Sequence, residues 1–229
     1  MKKRIFLLSL ISGLLVMGLF ASTSRYVSTT GSNTIPYTSL LTAANSISAA
    51  IGESSAGDII LVNDGTYTLS STIEINIGIT IKSINGSLVT IVDGNNAFKC
   101  FKISHTNAIL DGFTIQNANN TFDQYGGGVN ITTGGTVRNC TIKNNQAIDG
   151  GGVAIDTDGL VENCYITDNL ASNNGSSGYG GGVRLLNGGE VRNCVITRNT
   201  SVKYGGGVNI WNGGKVKNCV ITKNTAPAG

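Results

Sequence analysis

The sequence predicts an all-β fold, a parallel β-helix in which short strands stack coil upon coil, with a short helix capping its N-terminal end. Four near-copies of one phrase fill the second half of the chain and begin 24, 30 and 25 residues apart. Each copy alternates apolar and polar residues, which is typical of strands. Gly is frequent (32 of 229 residues) and Pro is rare (2), which suits tight turns between short strands. Each copy opens with a GGGV segment; the four start at Gly126, Gly150, Gly180 and Gly205.

Residues 1–24 are predicted to be a secretory signal peptide. Lys2, Lys3 and Arg4 precede an apolar run from Ile5 to Phe20, and small residues follow it. A membrane anchor is the alternative, but the run is shorter than the about 20 apolar residues that span a bilayer. We therefore expect a secreted, extracellular or cell-surface protein with no integral membrane segment after the leader is removed.

The charge of the mature chain is predicted to be neutral. Three of the 16 Lys and Arg residues lie in the leader, and the 13 that remain balance the 13 Asp and Glu residues. A neutral body with scattered charges lacks the basic surface that binds nucleic acid or anionic lipid. We therefore expect no nucleic-acid partner.

Residues 25–57 are predicted to form an N-terminal cap that contains an amphipathic helix. Within residues 37–51 the apolar side chains recur at helical spacing. Such a helix would cover the open end of a solenoid core. The side chains expected to face that core are Leu40, Leu41, Ala44, Ile47 and Ala50.

The β-helix itself is predicted over residues 58–229, with the regular repeats from residue 126. The first half is less regular, but its apolar segments are separated by Gly, Asn or Ser, as expected of strands. The segment AILDGFTIQN aligns with the later copies, so that Leu110, Phe113 and Ile115 take the positions of Val137, Cys140 and Ile142. The predicted strands ahead of that segment span residues 58–62, 65–69, 72–75, 77–81 and 88–92.

Within one copy, Val129 and Ile131 alternate, and then Val137, Cys140 and Ile142 follow. The same residue types recur in every copy, so stacked coils would form parallel sheets with strands about 4.8 Å apart. The step of three before Cys140 breaks the alternation, which predicts a corner of the coil directly before that residue.

Three columns of identical residues are predicted to be structural. One Asn column marks the corner and a second marks the next turn, where stacked amides can satisfy backbone groups and each other. The Cys column is expected to point inward as small buried side chains, because it lacks CxxC or His-containing metal spacing. The columns are Asn139, Asn163, Asn193 and Asn218; Asn145, Asn169, Asn199 and Asn224; and Cys140, Cys164, Cys194 and Cys219.

A leucine-rich-repeat horseshoe is the alternative architecture, because Val137, Cys140, Ile142 and Asn145 also satisfy the spacing L-x-x-L-x-L-x-x-N. However, the rest of each copy is rich in glycine and β-branched residues. It lacks the helix formers expected on the convex side of a horseshoe. The parallel β-helix is therefore favoured.

The chain resembles a known superfamily. The segment from Tyr26 through SLLTAANSISAAI, GDIILVNDGTYTL, GITIKS and ILDGFTIQN is similar to the opening of right-handed parallel β-helix proteins of the pectin-lyase-like superfamily. The units with GGGV followed by ITKN or its variants resemble the GGA[ILV] and FxxN repeats of chlamydial polymorphic membrane proteins and other bacterial surface β-helices. The resemblance implies a right-handed solenoid, on which lyases, hydrolases, esterases and adhesins all occur.

No catalytic residue is predicted. His105 is the only histidine, and the stretch SHTN around it is typical of a solvated turn. The acidic pairs that the resemblance would imply for a polygalacturonase are not recognisable. A catalytic constellation with several converging ionisable groups is therefore not expected.

A metal site is the first of two candidate sites. Asp149, Asp156 and Asp158 share one coil, and three carboxylates could hold Ca²⁺ if the strand bends near Thr157. The alternative is that they are turn residues and one outward strand position. No other cofactor is expected.

A ligand-binding surface is the second candidate. The only tryptophan, Trp211, is expected on an outward face beside Leu186, Arg184 and Asn209. Aromatic faces stack on sugars or on partner side chains. Its alternative is an exposed packing residue. Tyr125, Tyr179 and Tyr204 each precede a GGG segment, with Asp149 in the corresponding place of the second copy, and are read as a ladder of turn residues.

Together these features favour a binding or adhesion module whose partner is a polysaccharide or a host or cell-surface glycan. A polysaccharide lyase or glycoside hydrolase of the same fold and a purely structural stalk remain as alternatives. The final NTAPAG stands where another GGGV segment is due, and a solenoid needs a cap at its end. We therefore expect the C-terminal end of the β-helix to be missing, with that portion of the same chain as a further partner.

Overall fold

The computed structural model describes residues 22–173 and 178–227, and within them the chain forms 25 strands and one helix. The helix α1 is Ile47–Gly52. The strands in chain order are β1 Ser24–Val27, β2 Ile59–Val62, β3 Gly65–Thr68, β4 Ile73–Ile75, β5 Thr80–Ser83, β6 Thr90–Asp93, β7 Phe101–Ile103, β8 Ile109–Asp111, β9 Thr114–Gln116, β10 Asn119–Tyr125, β11 Val129–Ile131, β12 Thr136–Arg138, β13 Thr141–Lys143, β14 Gln146–Asp149, β15 Val153–Ile155, β16 Leu160–Glu162, β17 Tyr165–Thr167, β18 Leu170–Ala171, β19 Val183–Leu185, β20 Glu190–Arg192, β21 Val195–Thr197, β22 Thr200–Ser201, β23 Val208–Ile210, β24 Lys215–Lys217 and β25 Val220–Thr222.

The described strands form four parallel sheets that run along one axis. Sheet 1 has the order β1-β2-β5-β8-β12-β16-β20-β24, and sheet 2 has the order β3-β6-β9-β13-β17-β21-β25. Sheet 3 has the order β4-β7-β11-β15-β19-β23, and sheet 4 has the order β10-β14-β18-β22. One coil passes through sheet 3, sheet 1, sheet 2 and sheet 4 in turn, so the predicted all-β parallel β-helix is confirmed.

Equivalent residues of successive coils pair directly, as the repeats predict. Val129 pairs with Val153 and Val153 with Val183, although the first step covers 24 residues and the second 30. The alignment of the irregular first half is also confirmed, because Leu110 pairs with Val137 and Ile115 pairs with Ile142 in the same register. The extra residues of the longer coil therefore leave the register of sheet 3 unchanged.

The core is one continuous column of apolar side chains inside the coils. Burial of these side chains is the main favourable free energy of the fold. The most regular part of the column repeats Val, Ile, Val, Cys and Ile once per coil. Its buried members include Val129, Ile131, Val137, Cys140 and Ile142, with their counterparts Val153, Ile155, Val161, Cys164 and Ile166.

The predicted corner lies at Asn139 and its counterparts, but the prediction of a stacked amide ladder there is wrong. Asn139, Asn163, Asn193 and Asn218 have φ between 51° and 55°, the left-handed region that Asn tolerates better than most residues. Their side chains are exposed, and the amide of Asn139 donates instead to Asp111 Oδ1 at 2.7 Å. The backbone conformation therefore favours Asn at this corner, and the equivalent corner of the preceding coil has Gly112 with φ 85°.

The second Asn column forms the buried amide ladder. Asn145 Nδ2 donates to Asn169 Oδ1 at 3.0 Å, Asn169 Nδ2 to Asn199 Oδ1 at 2.9 Å, and Asn199 Nδ2 to Asn224 Oδ1 at 3.0 Å. The same oxygens accept the backbone N–H of the preceding Asn in the ladder, and each Nδ2 also donates to a backbone carbonyl such as Ile115 O. These amides therefore satisfy buried backbone N–H and C=O groups that lie outside the strand pairing.

The Cys column points inward, as predicted, and its thiols are free. The sulfurs also have a hydrogen-bonding role that the sequence did not predict. Cys194 Sγ accepts the backbone N–H of Cys164 at 3.4 Å, and Cys140 Sγ accepts that of Phe113 at 3.4 Å. Each sulfur also lies 3.1–3.2 Å from the carbonyl oxygen two residues earlier, Arg138 in the case of Cys140. Cysteine thus combines a small apolar volume with weak hydrogen bonds at the corner.

The GGG segments are required by close packing of successive coils at the turn from sheet 4 to sheet 3. Gly126 has φ 65°, and a Cβ there would collide with the carbonyl oxygen of Val129. At Gly127 a Cβ would collide with the carbonyl oxygens of Gly151 and Gln146. Any side chain would therefore push the coils apart, which explains why the glycines recur in every copy.

The predicted cap helix is largely wrong. The helix begins only at Ile47, with Ser46 as its N-cap, and Leu40 and Leu41 are 46% and 81% exposed. The preceding segment pairs with the first strand instead, since Ser28 N–H donates to Ala44 O and Ala44 N–H donates to Tyr26 O, both at 2.9 Å. Tertiary backbone pairing overrides the helical spacing of the apolar residues. Ala44, Ile47 and Ala50 are buried as predicted.

The predicted signal peptide lies mostly outside the described residues, which begin at residue 22. Strand β1 begins at Ser24, and the Thr23 carbonyl accepts the N–H of Ile59 at 3.0 Å. The predicted boundary after residue 24 therefore falls inside a paired strand. In residues 22–173 and 178–227, no helix combines the length and apolar character required to cross a membrane.

The last described coil is the most exposed part of the core column. Ile210 and Ile221 are 47% exposed, whereas Ile155 and Ile166 at the same positions in an earlier coil are fully buried. Coil-on-coil stacking, and no other contact, therefore buries these side chains.

Replacing Asn169 by Ala is expected to destabilise the protein by about 3 kcal/mol, because several buried donors and acceptors lose their partner at once. Urea unfolding followed by circular dichroism measures the loss. Asn163→Gly is the matched control, since glycine retains the left-handed corner, and its effect should stay below about 1 kcal/mol. Equal destabilisation by both variants would contradict the distinction between the two columns.

Thiol labelling of the native protein is expected to modify Cys219 first, because Cys219 is only half-buried while the other four cysteines are buried. Burial raises the pKa of both the Cys164 and the Cys219 thiol, so access to the reagent, and not the fraction of thiolate, decides which of the two reacts. Mass spectrometry after a brief exposure to iodoacetamide identifies the modified residues. Labelling of Cys140 or Cys164 at a similar rate in the folded protein would show that the side chains of the Cys column do not point into the core.

Candidate functional site

A cluster of aromatic and cationic side chains lies on the outer surface where sheet 4 meets sheet 3. We call it the aromatic face, and it consists of Tyr179, Arg184, Lys203, Tyr204 and Trp211. In β19 the side chains of Val183 and Leu185 point into the core, so Arg184 between them points outward. Backbone bridges align Tyr179 with Tyr204 one coil on.

Arg184 is the centre of the aromatic face. Its guanidinium carbon lies 4.5 Å from the centroid of the Tyr179 ring and 5.6 Å from that of Trp211. Arg184 Nη1 donates to Asn209 Oδ1 at 2.6 Å. Two aromatic rings and one amide thus hold the cation in a defined position.

The two tyrosines extend the cluster along the solenoid axis. Their rings stack with centroids 5.8 Å apart and an interplanar angle of 26°. Lys203 Nζ lies 5.4 Å from the Tyr179 centroid and 5.9 Å from that of Tyr204. A hydrogen bond to Tyr179 raises the pKa of Lys203, so this amine is charged at neutral pH.

Exposure divides the aromatic face into an accessible rim and a buried centre. Trp211 is 71% and Tyr204 46% exposed, whereas Arg184 is only 6% exposed. The rings therefore present apolar surface to solvent beside a cation that is largely covered. Such an arrangement suits a ligand that offers an apolar face and polar substituents, as a sugar ring does.

Three of the four predicted ligand-binding residues come together in the structure: Trp211, Arg184 and Asn209. Leu186 is half-buried and precedes Trp211 by one coil, at the equivalent place in the backbone ladder. These three residues are therefore neighbours in the structure, as predicted. That they bind a ligand stays a prediction.

The predicted metal triad does not assemble. Asp149 is buried, with Oδ1 accepting the N–H of Tyr179 at 3.0 Å, while Asp158 is exposed and Asp156 is half-buried. Among the residues that the structure describes, no group of three His, Cys, Asp or Glu side chains is placed to hold a metal ion. The physical reason is that Asp149 belongs to the tyrosine column of sheet 4, whereas Asp158 lies at the turn from sheet 3 to sheet 1.

Asp149 has an unusual electrostatic environment. Burial raises its pKa above the ordinary value, and the opposing effects of Arg184 and of hydrogen bonds from Tyr179 N–H and Gln124 do not cancel this increase. Burial, together with the charge of Asp149, also raises the pKa of Tyr125. A protonatable carboxyl therefore lies beside the aromatic face.

Sequence analysis missed Tyr179, Tyr204 and Lys203 as members of the site. The tyrosines carried a signal, since each precedes a GGG segment, but that position was interpreted only as a turn ladder. Lys203 has no counterpart in the other copies and gave no signal. His105 is a turn residue as predicted, with Nδ1 accepting the N–H of Asn107 at 3.1 Å.

The fold is similar to that of one protein of known structure, and a second solved structure matches less well. A crystal structure of pectin methylesterase in complex with a hexasaccharide matches with a TM-score of 0.50 and 12% sequence identity, covering 86% of this chain and 67% of that one. A crystal structure of pectate lyase Pel9A matches with a TM-score of 0.43 and 17% identity, covering 91% and 80% of the two chains. No protein-family model and no curated protein matches the sequence.

The chain therefore has a right-handed parallel β-helix fold, as its sequence predicts. At such low identity the likeness concerns the fold alone, because this scaffold carries many unrelated activities.

Asp149→Asn is expected to increase stability more at neutral pH than at acidic pH. When a carboxyl has a higher pKa in the folded state than in the unfolded state, the free energy of unfolding of the protein falls as the pH rises from the unfolded pKa through the folded pKa. An amide at this position does not ionise, so the variant does not suffer this fall. Urea unfolding of both proteins at pH 3.5 and pH 7 measures the difference. A variant that loses more stability at pH 7 than at pH 3.5 would show that the ionised carboxylate stabilises the fold.

Proposed function

We propose that this protein is a secreted or cell-surface binding module that holds a polysaccharide or a cell-surface glycan on the aromatic face. The observation that carries the proposal is that the rings of Tyr179 and Trp211 flank one fixed arginine on the outside of a solenoid, with Tyr204 stacked on Tyr179. Aromatic clusters of this kind stack on the apolar faces of sugar rings.

The solenoid favours such binding because it fixes the rings before a ligand arrives. Tyr179 and Tyr204 are aligned by backbone bridges, and Trp211 follows a strand whose N–H and C=O groups pair with the preceding coil. Little side-chain or backbone entropy remains to be lost on binding, so a shallow surface can still give useful affinity.

An enzyme acting on an acidic polysaccharide is the second candidate. Asp149 favours it, because a buried carboxyl with a raised pKa beside Tyr125 and Arg184 resembles the environment of catalytic acids. The solved proteins of similar fold are named as a pectin methylesterase and a pectate lyase. Cleavage or de-esterification of a polysaccharide that is lost in Asp149→Asn would favour the enzyme over the binding module.

Trp211→Ala is expected to reduce glycan binding at least about tenfold, because the most exposed ring of the face is lost. Glycan-array screening identifies a bound oligosaccharide, and isothermal titration calorimetry then compares the variant with the unchanged protein. Tyr165→Ala is the matched control, since Tyr165 is an exposed aromatic residue on the outer side of sheet 2 and its loss should leave binding unchanged. Unaltered affinity in folded Trp211→Ala would show that the glycan binds away from the aromatic face, and no glycan bound at all would favour a structural stalk.

A further inference from the structure

We propose that the thiols of Cys194 and Cys219 form a two-coordinate site for a soft monovalent metal ion, Cu(I) in particular. The site lies inside the coils and uses no residue of the aromatic face. It therefore goes beyond the proposed binding of a glycan, and its test is independent of that function.

The two cysteines occupy equivalent places in neighbouring coils. Ile196 and Ile221, two residues further along each strand, pair directly. Each sulfur lies 3.2 Å from the carbonyl oxygen two residues earlier and 3.7 Å from that of the inward valine one coil back. Because these contacts match, the two side chains have the same orientation. Their sulfurs are therefore separated by about the spacing of neighbouring parallel strands, about 4.7–4.9 Å.

This spacing suits a metal ion bound by two sulfurs. A metal–thiolate bond is about 2.3 Å long, so an ion midway between two thiolates needs sulfurs about 4.6 Å apart. The line between the sulfurs runs along the solenoid axis, roughly perpendicular to side chains that point into the core. A thiolate binds metals at such an angle to its own C–S bond, so the ion fits between the coils without a change of strand register.

The surroundings select an ion that accepts only two ligands. Within residues 22–173 and 178–227, no group of three His, Cys, Asp or Glu side chains is placed to hold a metal ion, which excludes tetrahedral Zn²⁺ coordination by these side chains. The inward neighbours along the strands, Val191, Ile196 and Val216, are apolar and add no ligand. Soft thiolates select Cu(I), which is stable with two sulfur ligands.

Backbone donors stabilise the charge of the bound form. Binding of Cu(I) releases both thiol protons to solvent and leaves a complex with one net negative charge. The N–H of Cys164 donates to Cys194 Sγ at 3.4 Å, and the N–H of Cys194 likewise bonds to the sulfur of Cys219. Both bonds become stronger when the acceptor is ionised. The carbonyls of Arg192 and Lys217 lose their contact with a thiol proton, which the metal–sulfur bonds must outweigh.

Cys219 provides access to the site. It is half-buried, whereas Cys194 is 1% exposed. Cys140 and Cys164 continue the same column but are both buried. A metal site needs a path by which the ion enters, so the pair that includes Cys219 should be filled first.

The test supplies Cu(I) as its bicinchoninate complex to the reduced protein, whose five cysteines are first confirmed as thiols after denaturation. Loss of the colour of the complex measures the transfer of copper to the protein. X-ray absorption of the loaded protein then identifies the ligands. We expect one Cu(I) per chain, bound by two sulfurs.

Cys194→Ala and Cys219→Ala are each expected to weaken Cu(I) binding about 100-fold or more, because each variant leaves a single thiolate in the site. Cys100→Ala is the matched control, since Cys100 is a buried cysteine outside the column, and it should retain the binding. Should Cys194→Ala not fold, Cys219→Ala decides the matter, because it removes only a half-buried side chain. Circular dichroism checks the fold of each variant.

Absence of copper transfer to the unchanged protein would overturn the metal site. Binding that persists undiminished in Cys219→Ala would do the same, as would nitrogen or oxygen ligands in the absorption spectrum. None of these results affects the proposed binding of a glycan, since the aromatic face is unchanged in all three variants.

Discussion

The recurrence of the same side chain at the same position of successive coils is the constraint on which the rest of the structure depends. The buried amide ladder from Asn145 to Asn224 shows this most directly, because the Oδ1 atoms of Asn169, Asn199 and Asn224 each accept two hydrogen bonds from the Asn of the coil before. A residue of different shape would leave several buried groups without partners. The ladder therefore holds the turn between sheet 2 and sheet 4 at the same place in every regular coil.

The architecture could be predicted from the sequence because a solenoid repeats its contacts. One correct alignment of the four copies yields the register of three sheets, and it extends back to Leu110. The cap could not be predicted in this way, since it occurs once. Leu40 and Leu41 have helical spacing, but backbone pairing of Ala44 with Tyr26 decides that segment. The two Asn columns look alike in sequence, and only φ separates a left-handed corner from a buried ladder.

The candidate site could be predicted only in part, because it breaks the repeat. Trp211 and Arg184 were noticeable as unusual residues in an outward column, but the contact of Arg184 with Tyr179 depends on how the chain turns from sheet 4 into sheet 3. The glycines that allow close packing at this turn carry no information about which side chains meet. For the same reason, the environment of Asp149 follows from the packed structure and not from its neighbours in the chain.

The 30-residue step between Val153 and Val183 has a consequence for how such a protein can diversify. The added residues enter the chain between β18 and Tyr179, directly before the aromatic face, and the coils on either side still pair without a shift. Extra length at this point therefore costs the scaffold little beyond loop entropy, which grows slowly with length. Ligand recognition could be varied by lengthening the connection at this point, while the register of the paired strands stays the same.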